Sequence, residues 1–255
     1  MQISIIQAPL FWENPEVNRN YFAAKIQNIP EETLLVVLPE MFTSGFTMNP
    51  HEVAEDMDGA TVTWMKETAQ NRNLAIMGSM VIREKDEYYN RLLFVFPTGE
   101  VEYYDKRHLF SLAGEHKVYT KGSEKKIINY LGWRIAAFIC YDLRFPVFSR
   151  FNDDYDLLIY VANWPQPRIN AWDTLLKARA IENMSYVIGV NRIGDDENDN
   201  NYPGHSQVLD YLGNYLAEPS EKEMVFSVRL DKELMLANRN KFGFLRDRDA
   251  FTLTE

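Results

Sequence analysis

Three polar residues that together suit acyl transfer each follow a strand-like run of this sequence. Glu40 comes after Leu-Leu-Val-Val-Leu-Pro, Lys106 after Val-Glu-Tyr-Tyr-Asp, and Cys140 after Arg-Ile-Ala-Ala-Phe-Ile. Ligand sites in α/β sheets lie beyond the carboxyl ends of the strands, so we expect these three side chains to meet at one sheet edge. A thiol can attack an amide carbon, a carboxylate can move the protons, and a cation can stabilise the oxyanion.

Cys140 is the only cysteine in the 255 residues. The polar run Tyr141-Asp142-Leu143-Arg144 follows it at once and predicts a sharp turn from a strand into a helix. Such a turn points the next backbone N–H outward, so Tyr141 is a candidate second oxyanion donor. Lys106 and the helix start are expected to lower the pKa of the thiol below its ordinary value of roughly 8.5. The alternative is that Cys140 is a small core residue.

Two other arrangements are less well supported by the residue pattern. A Cys–His pair would need His108 or His116, which both lie in the long irregular stretch after Lys106. A metal site is not indicated, since there is no His-x-x-x-His, no cysteine pair and no His-Glu-x-x-His. The glycines are scattered, so no phosphate or dinucleotide loop is predicted, and we expect no cofactor.

The elements that must position these residues predict an α/β fold. Apolar strands such as 34–38, 133–140 and 157–161 alternate with helices near 14–29, 60–72 and 170–183. Pro97-Thr98-Gly99 indicates a hairpin, so the sheets should be mixed rather than purely parallel. No linker divides the chain, and we expect a single domain over 1–255 with a tail from about 240.

Composition narrows the class of function. The net charge of −10 argues against a nucleic-acid partner, which requires a basic face. No apolar run approaches the ~20 residues that span a bilayer, so no membrane partner is expected. A start without a basic flank and a single cysteine both favour the cytoplasm.

The chain resembles the nitrilase, or carbon–nitrogen hydrolase, superfamily. The resemblance rests on Leu-Pro-Glu-Met-Phe at 38–42, Tyr-Asp-Lys-Arg-His-Leu-Phe at 104–110 and Cys-Tyr-Asp-Leu-Arg-Phe-Pro at 140–146. Asn-Trp-Pro at 163–165, Ala-Arg-Ala-Ile-Glu-Asn at 178–183 and Gly-His-Ser at 204–206 add to it. These motifs run in order over essentially the whole chain.

The resemblance implies a Glu–Lys–Cys triad at Glu40, Lys106 and Cys140. A further family glutamate, which supports the lysine or the substrate, matches Glu115. The implied fold is a four-layer α-β-β-α sandwich with mixed β-sheets. Family members usually dimerise, and Phe242, Phe244, Leu245 and Phe251 in the tail suit a homodimer contact.

Within the superfamily, Met-Phe-Thr-Ser-Gly-Phe after Glu40 and Val-Ala-Asn-Trp-Pro resemble the bacterial omega-amidase branch. This implies a thiol amidohydrolase that releases ammonia from the terminal amide of a small 2-oxo dicarboxylic acid monoamide, 2-oxoglutaramate or 2-oxosuccinamate. The alternatives are another nitrilase-type amidase, an N-carbamoyl hydrolase, or a catalytically idle binding protein on the same fold.

Several residues near the motifs are candidates for substrate contact. Phe42, Tyr141 and Trp164 could wall a small dry pocket, and Asn163 adjoins it in the Asn-Trp-Pro motif. A substrate carboxylate needs a basic partner, for which Arg168, His116 and Lys117 are all candidates. Arg144 is expected to be a buried structural ion-pair member instead, because a buried arginine beside Asp142 would need a partner.

Overall fold

Two six-stranded β-sheets lie at the centre of the part of the protein that the structure describes. The structure is a computed structural model, and it describes residues 1–152 and 155–253. Its strands in chain order are β1 (Gln2–Gln7), β2 (Leu35–Val37), β3 (Ala75–Glu84), β4 (Glu87–Val95), β5 (Val101–Asp105), β6 (Ile127–Tyr130), β7 (Trp133–Ile139), β8 (Leu157–Ala162), β9 (Tyr186–Asn191), β10 (Ile193–Asp195), β11 (Asn201–Pro203), β12 (Gln207–Leu209), β13 (Tyr215–Ala217) and β14 (Met224–Arg229).

The helices are short or of moderate length. In chain order they are α1 (Pro15–Gln27), α2 (Pro50–Val53), α3 (Ala60–Arg72), α4 (Pro146–Ser149), α5 (Ile169–Asn183) and α6 (Lys232–Phe242). Single-turn 3-10 helices cover Ser111–Ala113, Glu115–Lys117, Cys140–Arg144, Gln166–Arg168 and Phe244–Asp247. Among the described residues, no helix combines the length and the hydrophobicity that crossing a membrane requires.

Both large sheets are mixed, as the hairpin at 97–99 predicts. The first has the strand order β14-β1-β2-β3-β4-β5, with β1, β2 and β3 parallel. Strand β4 is antiparallel to β3 and to β5, so β5 runs in the same direction as β2. The second sheet has the order β13-β12-β9-β8-β7-β6, with β7, β8 and β9 parallel.

The side chains of β2 show how the layers stack. Leu35 and Val37 belong to the core between the two sheets, whereas Val36 belongs to the core under α1 and α3. Successive residues of a strand point to opposite faces, so a strand covered on both faces is apolar throughout. Helix α5 covers the far side of the second sheet. This confirms the four-layer α-β-β-α sandwich.

Helix α5 packs closely on the second sheet because β9 carries Gly189. A Cβ atom at this position would lie 2.4 Å from Leu176 and 2.7 Å from Trp172, both on α5. Arg179 of the same helix is buried and paired: it donates to Glu182 at 3.0 Å and to the carbonyl of Leu143 at 2.6 Å. The helix thereby holds the turn that follows Cys140.

The expectation that Glu40, Lys106 and Cys140 meet at one sheet edge is wrong in one respect. Glu40 and Lys106 follow β2 and β5 of the first sheet, but Cys140 follows β7 of the second. The carboxyl ends of these strands come together across the interface between the sheets. The site is therefore built by the packing of the two sheets and not by one sheet alone.

Candidate active site

A buried cluster of one lysine and two carboxylates lies where the two sheets meet. The Nζ atom of Lys106 donates to Glu40 Oε1 at 2.9 Å and to both carboxylate oxygens of Glu115 at 3.0 Å. All three side chains are completely buried or nearly so. Glu115 also accepts the backbone N–H of Phe110 at 2.5 Å. Glu115 thus fixes the position of the ammonium group in relation to Glu40.

The charged groups of this cluster shift the pKa values of one another. Burial alone would lower the pKa of Lys106, but the carboxylates of Glu115 and Glu40 outweigh it and raise the pKa, so the amine is a permanent cation. Burial raises the pKa of Glu115, and Lys106 opposes this shift. One buried cation between two carboxylates leaves an excess of negative charge. This excess disfavours the ionised form of a further acidic group nearby, such as a thiol.

Asn90, which no sequence pattern predicts as a site residue, joins the two carboxylates. Its fully buried amide donates to Glu40 Oε1 at 2.8 Å and to Glu115 Oε1 at 3.3 Å. Its oxygen accepts from Ser79 at 2.8 Å, which fixes the orientation of the amide. A lone asparagine in an antiparallel strand carries no sequence signal for such a role, because its partners come from distant segments.

Cys140 occupies the sharp turn that the sequence predicts. It directly follows β7, has a φ of 46°, and begins the 3-10 helix Cys140–Arg144. A non-glycine residue in the left-handed region is strained by about 1–3 kcal/mol, and such strain is common at functional turns. The N–H of Tyr141 lies in the first turn of this helix, where backbone donors have no partner within the helix.

The expected low pKa of the thiol is wrong. Burial and then the charge of Glu40 raise the pKa of Cys140 well above its ordinary value, and Lys106 compensates only in part. The charge of the Glu40 carboxylate acts on the thiol, and the Sγ atom lies 3.9 Å from the carbonyl oxygen of Asn163. The expectation of a low pKa considered Lys106, but burial and the Glu40 carboxylate outweigh that cation. Cys140 is therefore a protonated thiol beside a carboxylate.

Asp142 connects the segment around Lys106 to the turn at Cys140. Its carboxylate accepts the hydroxyl of Tyr104 at 2.8 Å, the N–H of Ile139 at 3.0 Å and the N–H of His108 at 3.0 Å. The Nδ1 atom of His108 lies 2.7 Å from the same carboxylate. His108 is thus engaged with Asp142, which disfavours the alternative of a Cys–His pair.

A cavity of about 100 Å³ opens above Cys140. The side chains of Tyr141, Asn163 and Trp164 line it, as the sequence analysis predicts. Asn163 follows β8, and its backbone N–H donates to Glu40 Oε2 at 2.7 Å. The lining residues that the analysis did not name are Phe46, Phe110, Ala113, Pro165, Asn200 and Tyr202. The cavity suits a small molecule.

Two predicted substrate contacts do not line this cavity. Phe42 is completely buried between sheet and helices, with its ring centroid 5.6 Å from that of Phe22 and 6.1 Å from that of Trp64. The chain turns after Glu40, so Phe42 points into the outer core instead. His116 is exposed, because the neighbouring Glu115 takes the inward position of their shared 3-10 helix. Lys117 is exposed for the same reason.

Two arginines, Arg144 and Arg168, line the cavity, and the prediction made for Arg144 is wrong. Arg144 lies over the ring of Trp164 at 5.0 Å, and Arg168 lies over the ring of Phe110 at 5.2 Å. Neither guanidinium group has a carboxylate partner among the described residues. Arg144 is therefore not the structural ion-pair member that was expected, since His108 and Tyr104 satisfy Asp142 instead.

Comparison with known proteins finds similarity to carbon–nitrogen hydrolases in both sequence and structure. The family model described as carbon-nitrogen hydrolase matches residues 2–239. An omega-amidase from Yersinia enterocolitica, YafV, is 43% identical over 257 aligned positions, which cover 99% of this chain and 98% of that protein. A 2-oxoglutaramate amidase from Bacillus subtilis is 32% identical, with 90% of each chain covered. A CN-hydrolase superfamily protein from Xanthomonas campestris, solved with an arsenic adduct in its active site, superposes with a TM-score of 0.97 at 43% identity, covering 100% of this chain and 99% of that one.

Proposed function

This chain belongs to the carbon–nitrogen hydrolase family, and we propose that it is an omega-amidase that releases ammonia from a small 2-oxo dicarboxylic acid monoamide. The observation that carries the proposal is the cavity, which places Cys140 together with the guanidinium groups of Arg144 and Arg168. Such a cavity can hold a carboxylate at one end and an amide carbon at the thiol. The 43% identity to an omega-amidase over 99% of the chain and the 32% identity to a 2-oxoglutaramate amidase support this proposal, for which 2-oxoglutaramate and 2-oxosuccinamate are the candidate substrates.

The proposed first half of the reaction forms a thioester. Glu40 takes the proton of the Cys140 thiol as Sγ attacks the amide carbon, so that the thiolate exists only as it reacts. Lys106 and the N–H of Tyr141 stabilise the tetrahedral oxyanion. As the C–N bond breaks, Glu40 returns the proton to the departing nitrogen, and ammonia leaves. Glu115 keeps Lys106 in place throughout.

The second half hydrolyses the thioester. Glu40, again a carboxylate, takes a proton from water as the water oxygen attacks the carbonyl carbon. The proton then returns to the sulfur as the C–S bond breaks, which yields the dicarboxylic acid and the free thiol. Asn163 supports substrate binding in this scheme: its Oδ1 is buried and has no donor among the described residues. The N–H of an amide is the kind of donor that it lacks.

A coupled ammonia assay over a panel of amides tests the proposal. The panel contains 2-oxoglutaramate, 2-oxosuccinamate, the same chains without the 2-oxo group, and an N-carbamoyl amino acid. We expect the 2-oxo acid amides to give the highest kcat/KM. Faster ammonia release from the N-carbamoyl compound would instead favour the alternative hydrolase, and no release from any compound would favour an idle binding protein.

We also propose that the whole chain acts as one catalytic domain and forms a homodimer in the cytoplasm. Phe244 and Val147 border one surface groove and are 61% and 51% exposed. The ring of Phe242 stacks on Phe244 with centroids 5.4 Å apart. Exposed aromatic and aliphatic groups that adjoin one another suit a contact with a second copy of the chain. A single, unpaired cysteine suits a reducing compartment.

A further inference from the structure

The two carboxylate oxygens of Glu40 accept different sets of hydrogen bonds. Oε1 accepts from Lys106 Nζ at 2.9 Å and from Asn90 Nδ2 at 2.8 Å. Oε2 accepts the backbone N–H of Asn163 at 2.7 Å, with only a long contact of 3.4 Å from Asn163 Nδ2. Each carboxylate oxygen offers about two lone-pair directions. Oε1 thus accepts two short hydrogen bonds, whereas Oε2 accepts one short and one long hydrogen bond and is the less saturated oxygen.

We propose that Asn90 is a positioning residue that makes Oε2 of Glu40 the atom that takes the proton of the thiol. Its amide has two hydrogens on nitrogen and can only donate to the two carboxylates. It therefore closes Oε1 to a proton and leaves Oε2 for exchange with Cys140. This inference rests on the proposed role of Glu40 as the base in amide hydrolysis.

Asn90 is held in the one orientation that serves this purpose. Ser79 donates its hydroxyl hydrogen to the Asn90 oxygen at 2.8 Å and accepts the N–H of Met41 at 2.9 Å. Met41 directly follows Glu40 and has a φ of 43°. The backbone carbonyl of Asn90 also accepts the N–H of Lys106 at 3.0 Å. One strand position thus contacts Glu40, Glu115 and Lys106, and its side chain is dispensable for the backbone bond.

The groups that face Glu40 determine the sign of the expected effect. Among the described residues they are the cation Lys106 after β5, the carboxyl of Glu115, the thiol of Cys140 after β7 and the phenol of Tyr119. A donor to a carboxylate favours its ionised form, so loss of the Asn90 amide makes the ionised form of the proposed base less favourable. The acid limb of kcat/KM depends on an ionised base in the free enzyme and is therefore expected at higher pH in the variant.

The first test compares Asn90→Leu with Asn183→Leu. Asn183, at the end of α5, carries an equally buried amide. This amide donates to the backbone carbonyl of Arg179 and accepts the backbone N–H of Phe151. We expect Asn90→Leu to shift the acid limb upward by about one pH unit, the scale of one charge-assisted hydrogen bond. Asn183→Leu should leave the pH midpoint of the acid limb unchanged. The same midpoint in wild type and Asn90→Leu would overturn the inference.

Ser79→Ala is the second variant, and it decides the question if Asn90→Leu does not fold. It keeps the Asn90 amide but removes the group that orients it, so a smaller shift in the same direction is expected. An unchanged limb in folded Ser79→Ala would contradict the proposal if Asn90→Leu were unfolded.

An infrared difference spectrum gives a readout that does not depend on turnover. The carboxylate stretching bands of Glu40, identified by their loss in Glu40→Gln, report the hydrogen bonds to its two oxygens and should shift in Asn90→Leu or Ser79→Ala relative to wild type. If wild type hydrolyses no amide, the proposed function fails while this spectrum still tests Asn90. Unchanged carboxylate bands in the folded variant would then refute the role of Asn90 alone.

Discussion

Glu40 and Asn163 join the two sheets beneath the cavity. The backbone N–H of Asn163 donates to Glu40 Oε2 at 2.7 Å, and the Asn163 amide donates to the backbone carbonyl of Glu40 at 2.7 Å. The two residues lie 123 positions apart in the chain and follow strands of different sheets. Their contact places the proposed base from one sheet beside the proposed nucleophile from the other, because Cys140 follows the strand next to β8.

Replacing the base tests its role most directly. Glu40→Gln keeps the size of the side chain and cannot exchange the proton. We expect kcat to fall by about 10²-fold or more, the usual scale for general acid–base help, while the intact amide still binds. Single-turnover kinetics with 2-oxoglutaramate and a separate binding measurement check both parts. Near-full turnover would remove Glu40 from the reaction.

The thiol of Cys140 should stay protonated, and react slowly with alkylating reagents, at neutral pH in the free enzyme. Burial and the charge of Glu40 raise the pKa of Cys140, so alkylation by iodoacetamide should still be accelerating above pH ~8.5, where an ordinary thiol is half ionised. In Glu40→Gln the neighbouring negative charge is gone, and the midpoint of the alkylation profile should fall. A wild-type midpoint below that of a free cysteine would show that Lys106 dominates instead.

Lys106→Ala should affect both the reaction and the fold. It removes the proposed oxyanion donor, which costs roughly 3 kcal/mol of barrier or more. It also leaves two buried carboxylates without their cation, so the free energy of unfolding should fall. The double variant Glu40→Gln/Lys106→Ala should lose much less than the product of the single losses, because the residues act as a unit. Steady-state rates and denaturant unfolding of all three variants measure this.

The arginines of the cavity should recognise the carboxylate of the substrate. Arg144→Leu and Arg168→Leu are each expected to raise KM for 2-oxoglutaramate about tenfold or more, the scale of a charged hydrogen bond. A neutral monoamide of similar length should show little change in either variant. Lys117→Ala is the matched control, since this exposed cation does not line the cavity. A larger effect from Lys117 than from both arginines would reject this assignment.

The assembly state can be measured directly. Light scattering at micromolar concentration should give twice the 29.8 kDa mass of the chain. Phe244→Ser, which changes an exposed ring and no residue of the cavity, should weaken the dimer and leave the stability of the subunit nearly unchanged. A monomeric mass for wild type would contradict the homodimer proposal.

The arrangement of apolar strands and helices was predictable from local patterns. Strands such as β2 and β8 are apolar throughout because they are covered on both faces, and Asn14 caps α1 immediately before Pro15, a local pattern typical of a helix start. The turn at Cys140 was predictable as well, since a polar run follows the apolar strand at once. These features depend on neighbours in the sequence, and so the sequence alone determined them.

Tertiary structure decided which side chains face the cavity and how their charges combine. Phe42 and His116 lie beside motif residues in the sequence, yet they point into the outer core and into solvent. Asn90 and Arg144 have their roles only because distant segments pack against them. The pKa of Cys140 is raised and not lowered, because burial disfavours the thiolate and the charge of Glu40 adds to this effect. Long-range packing sets distance and desolvation, and neither quantity can be read from the order of residues along the chain.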